Sequence, residues 1–115
     1  MQLDLNQISN KIIAVDFDNT LTYKSEYPIT GKINPKMIKF IKDLQLRNNK
    51  IILWTCREDE ELVEAIKLCA EYKLYFDAIN ANVDGIHTSR KVFAHYYIDD
   101  KAIALYDILG GNKNV

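Results

Sequence analysis

Lys11-Ile12-Ile13-Ala14-Val15-Asp16-Phe17-Asp18-Asn19-Thr20 decides the fold: an apolar run stops abruptly at two acids placed two residues apart. A continuous apolar run with β-branched members, followed by a turn-forming Asp-Asn-Thr, reads as a strand buried on both faces of a parallel sheet. Such sheets bind ligands beyond the C-terminal ends of their strands. A carboxylate at that edge is costly to desolvate without a cationic or donor-rich partner, so Asp16 and Asp18 call for one. A divalent metal ion is the obvious candidate.

Upstream, residues 1–10 form a polar lead with Leu3, Leu5 and Ile8 as apolar anchors and no assignable element. Downstream, the stretch from Leu21 to Gly31 contains Pro28 and Gly31 and mixes polarity, which predicts a loop with a short hairpin. It leaves directly from the acids and so overhangs them. Asn34-Pro35 is an N-cap followed by proline at the first helical position. The helix it starts runs to about Arg47, with Met37, Ile38, Phe40, Ile41 and Leu44 at helical spacing and Asn48-Asn49 as the exit.

Lys50 to Trp54 is a second buried strand, and polar groups again follow it in Thr55-Cys56-Arg57. Glu58 to Glu61 supply negative charge to the first turn of the next helix, where the macrodipole favours it. Leu62, Val63, Ile66, Cys69 and Ala70 form that helix's inner stripe. Phe76 to Asn80 is a weaker third strand, Asn82 to Gly85 a turn, and Thr88 to Lys91 opens a short segment with one helical turn. His95 to Ile98 is a fourth strand, tipped by Asp99-Asp100-Lys101. Strands alternating with helices imply right-handed crossovers and one parallel sheet, with the first strand between the second and fourth. Asp16, Asp18, Thr55, Asp99 and Asp100 then meet at one edge, with Lys91 close by.

The 115 residues suffice for one core, so residues 1–115 are read as a single domain. With 15 basic and 16 acidic residues and no long run of either sign, no global field recruits nucleic acid or an anionic membrane. Cys56 and Cys69 lack metal-ligand spacing and read as reduced thiols. The N-terminal residues lack a signal-peptide pattern, and no run reaches membrane-spanning length, so the expected location is the cytoplasm.

The ordered set Asp16-Phe17-Asp18-Asn19-Thr20-Leu21, a strand ending in Thr55, Lys91, and Ile98-Asp99-Asp100 resembles the four motifs of the haloacid dehalogenase (HAD) superfamily of phosphatases. The resemblance spans residues 11 to about 101 and is closest to small members without a cap domain. It implies a Rossmann-type α/β fold, a three-layer sandwich around a central parallel sheet. It further implies a magnesium-dependent phosphatase with Asp16 as the nucleophile that forms an aspartyl-phosphate. Asp18 is then the general acid and later the base, its protonated form favoured by like-charge repulsion from Asp16. Thr55 and Lys91 bind the phosphoryl group. Magnesium is held by Asp16, the Asp18 carbonyl and Asp99 or Asp100.

Against these roles stand plainer ones. Asp99 or Asp100 serves equally as N-cap of a helix from Lys101 to Tyr106. Arg57 contacts substrate or makes a weak surface pair with Glu58 to Glu61. His87 and His95 read as structural, and Trp54, Tyr96 and Tyr97 as core. The spacing between motifs leaves no room for a cap, so the site is expected to be open to a phosphorylated substrate or to be closed by a second subunit in a homo-oligomer. Tyr23, Lys24 and Tyr27 on the overhanging loop are then placed to contact the leaving group. A receiver-like signalling module shares the size and acid-Thr-Lys inventory. There, however, the acidic pair stands on the first strand and a lone acceptor mid-chain. A catalytically silent interaction domain is the other alternative.

Overall fold

β1 (Ile12–Val15) lies inside the sheet, hydrogen-bonded on one side to β4 (Lys50–Leu53) and on the other to β6 (Tyr96–Ile98). β5 (Ala78–Ile79) adds to the far side of β4, giving the order β5-β4-β1-β6 with every pairing parallel. The register sets Val15 beside both Leu53 and Ile98, so the chain leaves β1, β4 and β6 at the same edge. The computed structural model describes residues 7–101. The expected helix from Lys101 to Tyr106 lies outside them apart from its first residue.

The layers follow from strand periodicity. Ile13, Val15, Ile51 and Leu53 face α1 (Pro35–Leu46) and α2 (Asp59–Glu71), burying Ile38, Ile41, Leu44, Ala65 and Cys69 in one cluster. Each fully buried Ile or Leu contributes about 1.5–3 kcal/mol. The chain steps from β1 through β4 to β5 in one direction, and right-handed crossovers taken in one direction place both helices on one face. The return from β5 to β6 crosses the other face. There Val83, Val92 and Ala94 cover Ala14 and Ile52. Among the described residues this third layer contains no helix, and the expected helical turn at Thr88 to Lys91 is a series of bends. Within the described residues no helix is long and apolar enough to cross a membrane.

Local chemistry accounts for the element ends. The Asn34 side chain accepts the Met37 N–H at 3.3 Å, capping α1 with Pro35 in its first turn. The helix stops one residue before the expected Arg47, and Asn48 takes a left-handed φ of 65° that asparagine tolerates. Buried Asn49 then accepts the Lys11 N–H and donates to the carbonyls of Ile8 and Leu44, binding the helix exit to the entry of β1. In α2 the acids of the first turn are Asp59, Glu60 and Glu61; Glu58 is the cap position but its side chain makes no capping bond. Val63, expected on the inner stripe, is 48% exposed, and Ala65 and Leu68 pack in its stead. The third and fourth strands are shorter than expected, because only these residues find ladder partners.

The loop after β1 is an ordered hairpin of β2 (Thr22–Tyr23) and β3 (Lys32–Ile33), with a bridge between Glu26 and Ile29. Gly31 is required by close approach: a Cβ there would lie 2.1 Å from the Tyr23 carbonyl oxygen and 2.7 Å from the Ser25 nitrogen.

Candidate active site

The turn after β1 is drawn tight by the Phe17 carbonyl, which accepts the N–H groups of Thr20, Leu21 and Thr22. Phe17 and Leu21 are thereby sunk in the core, and Asp16 and Asp18 are left at the rim. Asn19, at φ 60°, uses both ends of its side-chain amide on Ser25, accepting its N–H at 2.8 Å and donating to its carbonyl at 3.1 Å. The turn after β1 and the hairpin are thus tied together by this amide. Ser25 Oγ in turn accepts the Gly31 N–H.

A cleft of about 610 Å³ opens at this edge, and Asp16, Asp18, Thr55, Asp99 and Lys101 are among its lining residues. Asp16, Asp99 and Asp100 each present a carboxylate oxygen within 4.8 Å of the others. The Thr20 hydroxyl holds the Asp100 N–H, joining the first and last motifs across 80 residues of chain. Burial, opposed by the Phe17 N–H bond and reinforced by the charges of Asp99, Asp100 and Asp18, pushes the Asp16 carboxyl up to about 6.

Asp18 has a different environment, set by Arg57. Nε and Nη2 of Arg57 donate to the two Asp18 oxygens at 2.8 and 2.7 Å, and Nη1 donates to the Glu61 carbonyl at 3.2 Å. The guanidinium lies 5.0 Å from the centre of the Phe17 ring and 5.4 Å from that of Tyr27, and the residue has no exposed surface. The hydrogen bond to Asp18 raises its pKa above the usual value, against the effect of burial. This corrects the expectation of an arginine paired weakly at the surface. The signal for it was charge imbalance: two acids beside a buried strand tip need a cation, and Arg57 directly follows the neighbouring tip.

Thr55 Oγ1 accepts the Arg57 N–H at 3.1 Å, which leaves its own hydrogen to donate. Lys91 is not brought to the cleft. Its ammonium sits 5.2 Å from the centre of the Tyr97 ring, in a separate depression lined by residues 88–94 and Tyr97. Tyr97 pairs in register with Ala14, so its side chain faces the layer that carries Lys91. The lysine among the cleft's lining residues is Lys101. Of the expected loop residues only Tyr27 lines the cleft; Tyr23 and Lys24 do not. Trp54, expected in the core, is 38% exposed and forms part of the wall. His95 Nδ1 accepts the Ile12 N–H, in keeping with a structural role. Cys56 and Cys69 are free thiols, the latter pushed up to about 12 by burial and so inert.

No family model and no curated protein matches the chain. Among solved structures it is similar to a conserved protein from Bacteroides thetaiotaomicron. The two are 37% identical over 86% of this chain and 85% of the other, with a TM-score of 0.73. The chain belongs to that protein's family. A TM-score of this size over that coverage means that the two chains share the α/β architecture.

Proposed function

We propose that the protein is a magnesium-dependent phosphomonoester hydrolase that works through an aspartyl-phosphate on Asp16, as the resemblance to capless HAD phosphatases implies. The observation that carries this reading is the meeting of Asp16 with Asp99 and Asp100 beside Asp18 and Thr55 at the ligand-binding edge of a parallel sheet. The donor set fits a hard divalent cation: three carboxylates close enough to share one ion, one of them pushed towards its neutral form by burial and then by the others' charge. Asp16, Asp99 and Asp100 would hold it. Magnesium there supplies charge neutralisation for the phosphoryl oxygens and keeps Asp16 ionised.

In the first step a carboxylate oxygen of Asp16 bonds to phosphorus, and the bond from phosphorus to the leaving oxygen breaks, that oxygen keeping the electron pair. Thr55 donates its hydroxyl hydrogen to a phosphoryl oxygen, and the Lys101 ammonium offsets the charge, the part first given to Lys91. In the second step water bonds to phosphorus, the bond to Asp16 breaks, and the water's proton passes to the Asp18 carboxylate. With both its oxygens accepting from Arg57, Asp18 is arranged for the second, base half of its acid-then-base role. Substrates that leave without protonation, such as aryl phosphates, are therefore favoured.

A panel of phosphomonoesters with magnesium, run beside Asp16→Asn, tests the reading. Turnover that requires magnesium and vanishes in the variant supports it. Activity that persists in excess chelator or in Asp16→Asn overturns it.

A further inference from the structure

We infer that Arg57 is a positioning residue, buried beneath the cleft, which fixes the direction of the Asp18 carboxylate and ties it to the hairpin wall through Tyr27. The inference rests on the proposed phosphoryl transfer for the role of Asp18.

A lone aspartate at a rim has several accessible rotamers, and a base must aim one oxygen at the attacking water. The two-point fork from Nε and Nη2 removes that freedom, because a planar guanidinium meets a carboxylate in one orientation. The fork is itself anchored. Nη1 bonds the Glu61 carbonyl in the first turn of α2, and the Arg57 N–H bonds Thr55 Oγ1. The aim of Asp18 is therefore referred to α2 and to Thr55, which lines the cleft.

The rings of Phe17 and Tyr27 complete the enclosure. Phe17 belongs to the core, whereas Tyr27 is 54% exposed and lines the cleft from the hairpin. A group with no exposed surface and its fork spent on Asp18 does not meet substrate; it acts through Asp18. Burying a guanidinium is costly without a partner, so the fold has a stake in the same pair. The test must separate the two contributions.

The experiment uses the full chain with magnesium and p-nitrophenyl phosphate, following nitrophenolate release through the first turnover and into steady state. Wild type, Asp18→Asn, Arg57→Met, Arg57→Lys and both double variants with Asp18→Asn are compared. Because the first step needs no acid with this leaving group, Arg57→Met keeps its burst while the steady-state rate falls on the order of 100-fold, the scale of a misplaced group. In the Asp18→Asn background the same substitution costs under about 3-fold, since there is no longer a carboxylate to aim. Arg57→Lys, which keeps charge but loses the fork, follows the same pattern and serves if the methionine variant fails to fold. Equal losses in both backgrounds, or a loss confined to KM, overturn the positioning role. Turnover that persists in excess chelator or in Asp16→Asn overturns the phosphoryl-transfer reading, and this inference with it.

Discussion

Replacing Asp16 by asparagine should stabilise the metal-free protein at neutral pH while removing the proposed nucleophile. The folded state raises this carboxyl from 3.8 to about 6, first by burial and then by the charges of Asp99, Asp100 and Asp18. Between those two values the folded chain keeps a proton that the unfolded chain has released. Stability therefore falls as pH rises through the window, and the loss is complete above about 6. At full strength such a rise corresponds to about 3 kcal/mol; solvent screening of a partly exposed carboxyl reduces it to about 1.5 kcal/mol. Asparagine is isosteric and its side-chain oxygen can still accept the Phe17 N–H, so little is lost in exchange. For a chain of this size the gain amounts to roughly 5–10 °C in Tm. The assay is thermal unfolding in excess chelator at steps from pH 3.5 to 8, taking the difference between variant and wild type. The difference should be near zero at the acid end and grow to its full value by about pH 7. On the proposed function, added magnesium should reduce or reverse it, since an ion that binds only the folded wild-type site stabilises that state. An asparagine variant less stable than wild type at pH 7 in chelator, or a difference independent of pH, would refute the reasoning.

Three further outcomes follow from placement in the fold. Lys101→Ala should lower kcat/KM by about 10-fold or more through loss of a charge at the cleft. Lys91→Ala should change it less than 2-fold, and the reverse ranking would restore Lys91 to the site. Tyr27→Ala and Trp54→Ala should each alter relative kcat/KM between aryl and alkyl phosphates by roughly 5-fold, the worth of an aromatic contact. Tyr23→Ala should not, and a uniform panel for all three would reduce the hairpin to a connector. Gly31→Ala should cost about 1–3 kcal/mol in denaturant unfolding, because the new methyl group meets backbone and not a flexible side chain; an unchanged midpoint would show that the hairpin yields freely.

Much of the architecture was legible in the chain because its causes are local. The apolar runs of β1 and β4 have a length and composition that only buried strands suit, and Asn34-Pro35 carries its own capping chemistry. Alternation of strands and helices then left little choice of sheet order, and the sheet brings Asp16, Asp99 and Asp100 together as that order requires. The closing contacts of the hairpin were less legible, since they rest on Asn19 reaching Ser25 and on Gly31 passing against backbone, which no periodicity announces.

The remaining features depend on which partner lies across the fold. Arg57 stands next to four acidic residues, and nearest-neighbour reasoning pairs it with them; yet its partner is 39 residues away, because strand pairing sets Thr55 and Asp18 at one rim. Lys91 precedes the last strand by few residues, but the segment carrying it returns over the sheet face away from the helices, where Tyr97 holds it. Trp54 continues an apolar run in the sequence, whereas in space it stands past the last paired residue of β4, where neither layer covers it. Local chemistry therefore determined the elements, their order and the acids at their tips. Only the tertiary structure decided which cation meets which acid, since Coulomb and hydrogen-bond energies depend on distance in space and carry no memory of separation along the chain.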